Sequence, residues 1–574
     1  MKILKRHIAG VMLIALLFFG FPTVQAAART KQSTNVDGYL YSRFFPAAIC
    51  ADGADETTLE VVTVGKLTKE VSVYWGSHNA TWLRMYDDAS HGDRISGDGI
   101  FSLNHLTYRI SSVRAFYQTD MADLGVQVRL IKTTDDTVLT WERLGMVDRS
   151  IFYPSIRLGK GDYATRSAFF IADSAQEIFS GYPVTEIECG VSVFPAAYQK
   201  LYSYFPDVFD FLVVMPATRL VQPNMYVERV PYCIMVRNEA KNIGVPVFDE
   251  TAKYHSAGRL RSVIYHSFGM PAILEHELGH TWGMRLGMQA GIVDGVVGVN
   301  ARYGHWVAET DINGQMNAFI NGCTLQDNSD GTWKLKPQDR YHFPYSPLEL
   351  YVMGLIPASQ VPSVHLLKKI NTSDPMRVTA DSVSTWTIAQ LITLEGGERV
   401  PSVATSQKNF RAAFIVVSDR SFSFAEMAYF SAMADYFASD APGTSYTMPF
   451  ETATGNRATL DATLPGMEVL GLAESAAKAS GLANNILSDN YPNPFNPSTT
   501  IQFHLQAFAH VTLAIYNLRG ESVRTLLDGW FGPGDHNVEW DGLNDAKQTI
   551  AGGVYMYVAK AGSVRDARKM LLLR

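Results

Sequence analysis

Over residues 27–150, apolar and polar positions alternate in short runs: TLEVVTVG, EVSVYWG, TWLRMYDD, VQVRLIKT and TVLTWERL. A period of two puts every second side chain on one face of a strand, and the Gly, Asp and Asn residues between the runs supply turns. This pattern predicts an N-terminal β-sandwich. Residues 151–465 are patterned differently. FDFLVVMP (209–216) and PYCIMVRN (231–238) are short apolar runs of buried-strand type, whereas GMPAILEHELGHTWGMRL (269–286) has helical spacing with Pro271 at its start. SFSFAEMAYFSAMADYFASD (421–440) predicts another helix, its aromatic stripe serving as core. The block is expected to be a central α+β domain. Small, weakly patterned residues at 466–485 predict a linker. Alternation returns over 486–574, in HVTLAIYNL and GGVYMYVAKAG, and with the turn Trp540-Asp541-Gly542 it predicts a small C-terminal β-sandwich.

Length and composition fit this multidomain plan. A chain of 574 residues exceeds what one core supports and predicts about three or four domains. With 47% apolar residues, 18% charged and a net charge of −7, it has no basic excess to recruit nucleic acid. Cys50, Cys189, Cys233 and Cys323 lie far apart with no C-x-x-C pair, which argues against a cysteine zinc site and leaves open whether Cys189 and Cys233 pair. The first residues change the picture most. Lys2, Lys5 and Arg6 precede an apolar stretch broken by Gly20 and Pro22, then Val24-Gln25-Ala26. This is the pattern of a secretory signal peptide over 1–26, cut after Ala26. No other segment is long and apolar enough to span a bilayer, so no transmembrane span is expected in the mature chain.

Two constellations offer metal chemistry. MYDDASHGDRISGDGIFS sets Asp87, Asp88, Asp93 and Asp98 among glycines without the EF-hand spacing. It resembles a D-D-G-x-x-G-D-x-x-x-G-D-G-x-[FY] segment that recurs in bacterial extracellular β-domains. Its carboxylates are candidate calcium ligands, the alternative being a pair of Asp-Gly turns. The second constellation is His276-Glu277-Leu278-Gly279-His280. Residues four apart share a helical face, so His276 and His280 reach one ion, and Glu277 one step along faces a metal-bound water as general base. The uncharged neighbours Leu274, Leu278, Thr281 and Trp282 suit a buried helix, and Gly279 permits close backbone approach.

H-E-x-x-H resembles the zincin metallopeptidases, and zinc is the expected metal. Metzincins continue the motif to a third histidine after x-x-G-x-x; here Gly283 fits the glycine, but Leu286 occupies the histidine position. The third ligand must come from NARYGHWVAETDINGQMNAF (300–319), which offers His305, Glu309 and Asp311, with His305 favoured. Met316 is either a Met-turn residue or plain packing. HSAGRLRSVIY, GHW…NGQM and YSPLELYVMGLIPASQV (345–361) also resemble a group of large secreted bacterial proteins carrying H-E-[LI]-[GA]-H-x-W-G. Glu349 is a weak candidate for the shell behind the ligands. Arg302, Tyr303, His342 and Tyr345 are candidates for an oxyanion donor, and the sequence does not choose among them.

The C-terminal stretch 489–574 resembles the type A sorting domain of the type IX secretion system. The matching boxes, in order, are Tyr491-Pro492-Asn493-Pro494-Phe495-Asn496-Pro497, Trp540-Asp541-Gly542, Gly553-Val554-Tyr555 and Lys569-Met570-Leu571-Leu572. The resemblance implies outer-membrane translocation after periplasmic export, with the type IX machinery as partner. The expectation is a secreted or cell-surface zinc-dependent endopeptidase acting on protein or peptide. The alternatives are a surface binding or adhesion protein on a degenerate peptidase scaffold and a metal-dependent hydrolase of a non-peptide substrate.

Overall fold

The computed structural model describes residues 39–573 apart from 64–67, 77–79, 114–119, 150, 152, 154, 160, 174–194, 218–231, 267–273, 298–302, 317–322, 338–343, 444–447, 468–485, 489, 506–508, 518–520, 532–533 and 562–563. The signal-peptide segment 1–26, Pro271, Cys189 and nearly all of the expected linker lie outside the described residues. The chain is rich in β-structure and forms two compact units. One contains the residues up to Asp148 together with Ala172–Ala462; the other contains Arg149–Ile171 and Thr463–Arg574.

The first unit begins with two facing sheets. Tyr39–Phe45, Thr57–Thr63 and Ile100–Leu106 form an antiparallel three-stranded sheet. Ala48–Cys50, Thr137–Val147, Met121–Lys132, Thr68–Trp75 and Thr81–Arg84 form a five-stranded one in that order. Alternate residues of both sheets, Leu59 and Val61 from one and Val71, Val73, Val126, Val128 and Leu130 from the other, meet in one core. This is the β-sandwich that the period-two pattern requires.

Its boundary near residue 150 does not isolate it from the central block. The helix Phe424–Phe437, capped by Ser423 and Glu426, is buried almost all the way round, so it needs apolar partners on more than one side. The sandwich supplies one of them. The Tyr429 hydroxyl donates to Asp123, and the Ala47 amide donates to Glu426 at 2.8 Å. Gly145 is flush with the ring, since a Cβ there would lie 2.9 Å from Tyr429. Residues 39–148 therefore share a unit with the central block, whereas sequence patterning divides them.

The central block carries a mixed sheet. Phe211–Pro216 runs parallel to both Ser262–Tyr265 and Asn409–Ser418, Thr459–Asp461 extends it in parallel, and Tyr232–Met235 closes the other edge antiparallel. Residues 211–215 and 410–417 are nearly all buried, as expected for parallel strands covered on both faces. The H-E-x-x-H segment lies on this sheet. Trp282 packs edge-on against Phe211 and Phe410, with ring centroids 6.1 and 5.7 Å away. The Thr281 and Ser262 hydroxyls are 2.7 Å apart.

In the second unit, Ile156–Gly159, Asp162–Ala164 and the strand Ala168–Ala172, but for its last residue, make an antiparallel meander. The C-terminal strands form a pair, Thr499–Leu505 with Gly534–Trp540, and a four-stranded antiparallel sheet. Ile501, Phe503, Leu505, Trp540 and Tyr557 share its core, following strict alternation over 499–505. The Trp540-Asp541-Gly542 turn is closed by the Trp540 indole donating to the Leu543 carbonyl at 3.0 Å and by Asp541 accepting from the Leu543 amide. Among the described residues no helix is long and apolar enough to cross a membrane.

Candidate metal centre

The motif helix is shorter than its sequence pattern suggests. Its described α-helical part is Leu274–Gly279, followed by a single tight turn at His280–Trp282 that Gly283 ends at φ +73°. Gly283 thus turns the chain, and Leu286, at the metzincin histidine position, is fully buried as core. The chain then forms a hairpin, Val293–Val297 with Tyr303–Trp306, and the Gly304 amide donates to the Gly283 carbonyl at 3.0 Å. That bond brings His305 back beside the helix.

One ligand-type atom each of His276, His280 and His305 lies within 4.8 Å of the others. The Nε2 atoms of His276 and His305 are 3.1 Å apart, and the His280 ring stands edge-on to both. His276 Nδ1 is 2.7 Å from the Gln315 carbonyl, an acceptor only, so Nδ1 carries a proton and Nε2 is the nitrogen turned toward His305. Burial, reinforced by the two neighbouring histidines, holds His280 well below the ordinary imidazole range and therefore neutral. Three imidazoles converging in this way suit Zn²⁺, whose catalytic sites commonly take three protein ligands.

The other two third-ligand candidates do not join the cluster. Asp311 accepts from the His365 amide at 2.8 Å and lies 2.7 Å from His365 Nδ1. Glu309 lies on a segment whose carbonyl receives the Leu367 amide, and its carboxylate does not join the cluster. Glu277 is only 4% exposed, and burial pushes its carboxyl well above the usual range. It shares a helical face with Thr281, which also lies 4.0 Å from the Cys233 sulfur. Glu277 therefore lies on the side of strand Tyr232–Met235, close enough to Cys233 that, on top of burial, its charge raises the thiol's pKa. Tyr345 is buried, and its hydroxyl donates to the Glu275 carbonyl, tying it to the helix backbone. Arg302, His342 and the Tyr303 side chain lie outside the described residues.

Residues that sequence patterning weighed lightly or missed support the centre from behind. Met316 is fully buried under the helix; a Cβ on Gly279 would sit 2.6 Å from its sulfur and 3.2 Å from the Tyr345 ring. Gln315 contributes a backbone carbonyl, which leaves no trace in residue type. Glu275 is buried beside His276, and burial pushes its carboxyl well up. Glu349, fully buried on helix Pro347–Met353, accepts four hydrogen bonds; burial still raises its pKa to about 7.

In the aspartate loop, Asp87, Asp93 and Asp98 come together, whereas Asp88 turns away to accept from the Ser90 amide and hydroxyl. Asp87 takes the amides of Gly97 at 2.7 Å and of Asp98 and Gly99 at 3.2 Å. Gly97 and Gly99 adopt φ of +76° and +84°, which glycine reaches without strain. Asp93 takes the Ala89 amide at 2.5 Å, and Asp98 that of Ile100 at 2.9 Å. Burial, opposed by the Gly97 and Gly99 amides, raises the Asp87 pKa.

Residues 493–564 match the FlgD Ig-like domain family. No curated protein matches the chain. Among solved structures, a segment covering 15% of this chain is similar, at 17% identity and TM-score 0.12, to 11% of PorZ, a surface component of the type-IX secretion system of Porphyromonas gingivalis. Another, covering 18%, is similar at 15% identity and TM-score 0.12 to 34% of the Pseudomonas fluorescens alkylpurine DNA glycosylase AlkC. The chain thus spans only a minor part of either, and likenesses this slight carry no argument.

Proposed function

We propose that this chain is a zinc-dependent hydrolase, in the first instance an endopeptidase, that is exported to the cell surface. The observation that carries the reading is the convergence of His276, His280 and His305, with Glu277 next to His276 on the same short helix. Zinc bound there would supply Lewis acidity toward a carbonyl oxygen and toward water. The three imidazoles would hold the ion. Glu277 would take the proton of the attacking water on its carboxylate and return it to the leaving amine, and its burial raises its affinity for that proton. Trp282 and Thr281 fix the helix on the sheet, so the ligands keep their places while substrate binds.

The same reading assigns the C-terminal sandwich to type IX sorting. Its support is the ordered set of boxes, with Trp540 and Phe495 in the core and Tyr491 82% exposed beside them. Deleting 486–574 should leave the protein in the periplasm while its zinc content is unchanged.

Metal analysis of the purified full chain, with casein hydrolysis alongside, tests the reading. One zinc per chain and hydrolysis that Glu277→Gln abolishes are expected. A folded chain without zinc or hydrolysis would refute it and favour a surface-binding protein on a peptidase-like scaffold.

A further inference from the structure

Glu349 joins three chain segments that meet behind the histidines. Its Oε2 accepts the amides of Ser346 at 2.7 Å and Gln315 at 3.1 Å; its Oε1 accepts the Met316 amide at 2.8 Å and the Trp306 indole at 3.0 Å. A carboxylate has about four lone-pair sites, and all four are used. The Ser346 bond belongs to the helix cap and would serve any helix. The other three lead to the metal centre. The amides of Gln315 and Met316 fix the turn whose Gln315 carbonyl takes His276 Nδ1. Trp306 adjoins His305, and its own amide donates to the Met316 carbonyl at 2.9 Å. Gly314 completes the fit, since a Cβ there would lie 2.1 Å from Oε2.

Resting on the zinc reading above, we infer that Glu349 is a positioning residue of the metal centre: one buried carboxylate sets both the carbonyl that orients His276 and the strand end that presents His305. A purely structural alternative exists, because a buried carboxylate with four donors also stabilises the fold. The two roles differ in what they predict. A positioning role alters the geometry and affinity of bound metal in a protein that remains folded. A structural role alters melting alone.

The test titrates the full chain with Zn²⁺ against a competing chelator and records the visible spectrum with Co²⁺ in place of zinc. Glu349→Gln keeps the shape but turns an amide NH₂ toward donors that need an acceptor. Its zinc affinity should fall about 10- to 100-fold, as is usual when a group behind a metal ligand is lost, with a shifted Co²⁺ spectrum and occupancy restored by excess zinc. Gly314→Ala, which crowds the carboxylate from outside, should act in the same direction, and Trp306→Phe more weakly; these two decide the matter where Glu349→Gln fails to fold. Leu348→Ala, on the same helix and equally buried, should lower the melting temperature without changing zinc affinity in the folded protein. Folded variants at Glu349, Gly314 and Trp306 with wild-type zinc affinity and Co²⁺ spectrum would overturn the inference while leaving the zinc reading intact. A folded wild type that binds neither metal would overturn the zinc reading itself, and this inference with it.

Discussion

The histidine cluster and the aspartate loop each bring three ligand-type side chains together, yet they are built in opposite ways. In the histidine cluster the contact that orients a ligand lies behind it: Gln315 holds His276 by its far nitrogen, and the near nitrogens of His276 and His305 face one another. In the loop the contacts lie on the carboxylates themselves, because Asp87, Asp93 and Asp98 each accept amides of their own turn. The first arrangement directs ring nitrogens at a common point. The second holds the carboxylates by amides of their own loop, with or without an ion. Proximity of acids alone is thus a weaker indication of a metal than orientation of the groups behind the ligands.

This contrast can be broken or sharpened by experiment. The largest effects should fall on the histidine side. Glu277→Gln should retain zinc and lower the rate of peptide hydrolysis about 10²- to 10⁴-fold, measured with casein or a quenched peptide. His305→Ala should lose zinc outright at micromolar metal, whereas Asp311→Ala and Glu309→Ala should retain it; zinc held by His305→Ala would dissolve the cluster as a centre. A smaller effect is expected in the loop. Asp87→Ala frees three amides and should destabilise by about 1–3 kcal/mol in chemical denaturation, with zinc content unchanged. The smallest is calcium itself: about 1 mM Ca²⁺ should raise the melting temperature by less than about 2 °C. A larger rise, abolished by Asp98→Ala, would place the loop with the histidines after all.

How far the sequence foretold these features depends on the range of the interactions involved. The motif helix and the sandwich strands are periodic over a few residues, so Val126, Val128 and Leu130 declare a buried face unaided. The apolar run 211–216 declares burial but not that its neighbours come from 262–265 and 409–418 in parallel. His305 could be named beside Glu309 and Asp311, but choosing among them needs the Gly304–Gly283 bond and the partner of Asp311, His365, which lies 54 residues along the chain. The separation at residue 150 reflects a change of local pattern, whereas helix Phe424–Phe437 unites the two sides through contacts some 300 residues apart, Tyr429 with Asp123 being one. Glu349 shows its cap in Ser-Pro-Leu-Glu; its three other bonds have no local signature.

Gly279 carries a consequence for inheritance. In an exposed helix, alanine at this position would be favoured by about 1 kcal/mol, so drift should erase the glycine. Here the added methyl meets the Met316 sulfur at 2.6 Å, and overpacking of that kind costs about 1–3 kcal/mol. The two positions are therefore coupled through one shared clearance. In descendants of this chain a larger residue at 279 should survive only beside a shorter one at 316, so that the middle of the H-E-x-x-H motif and a methionine 37 positions later vary together or not at all.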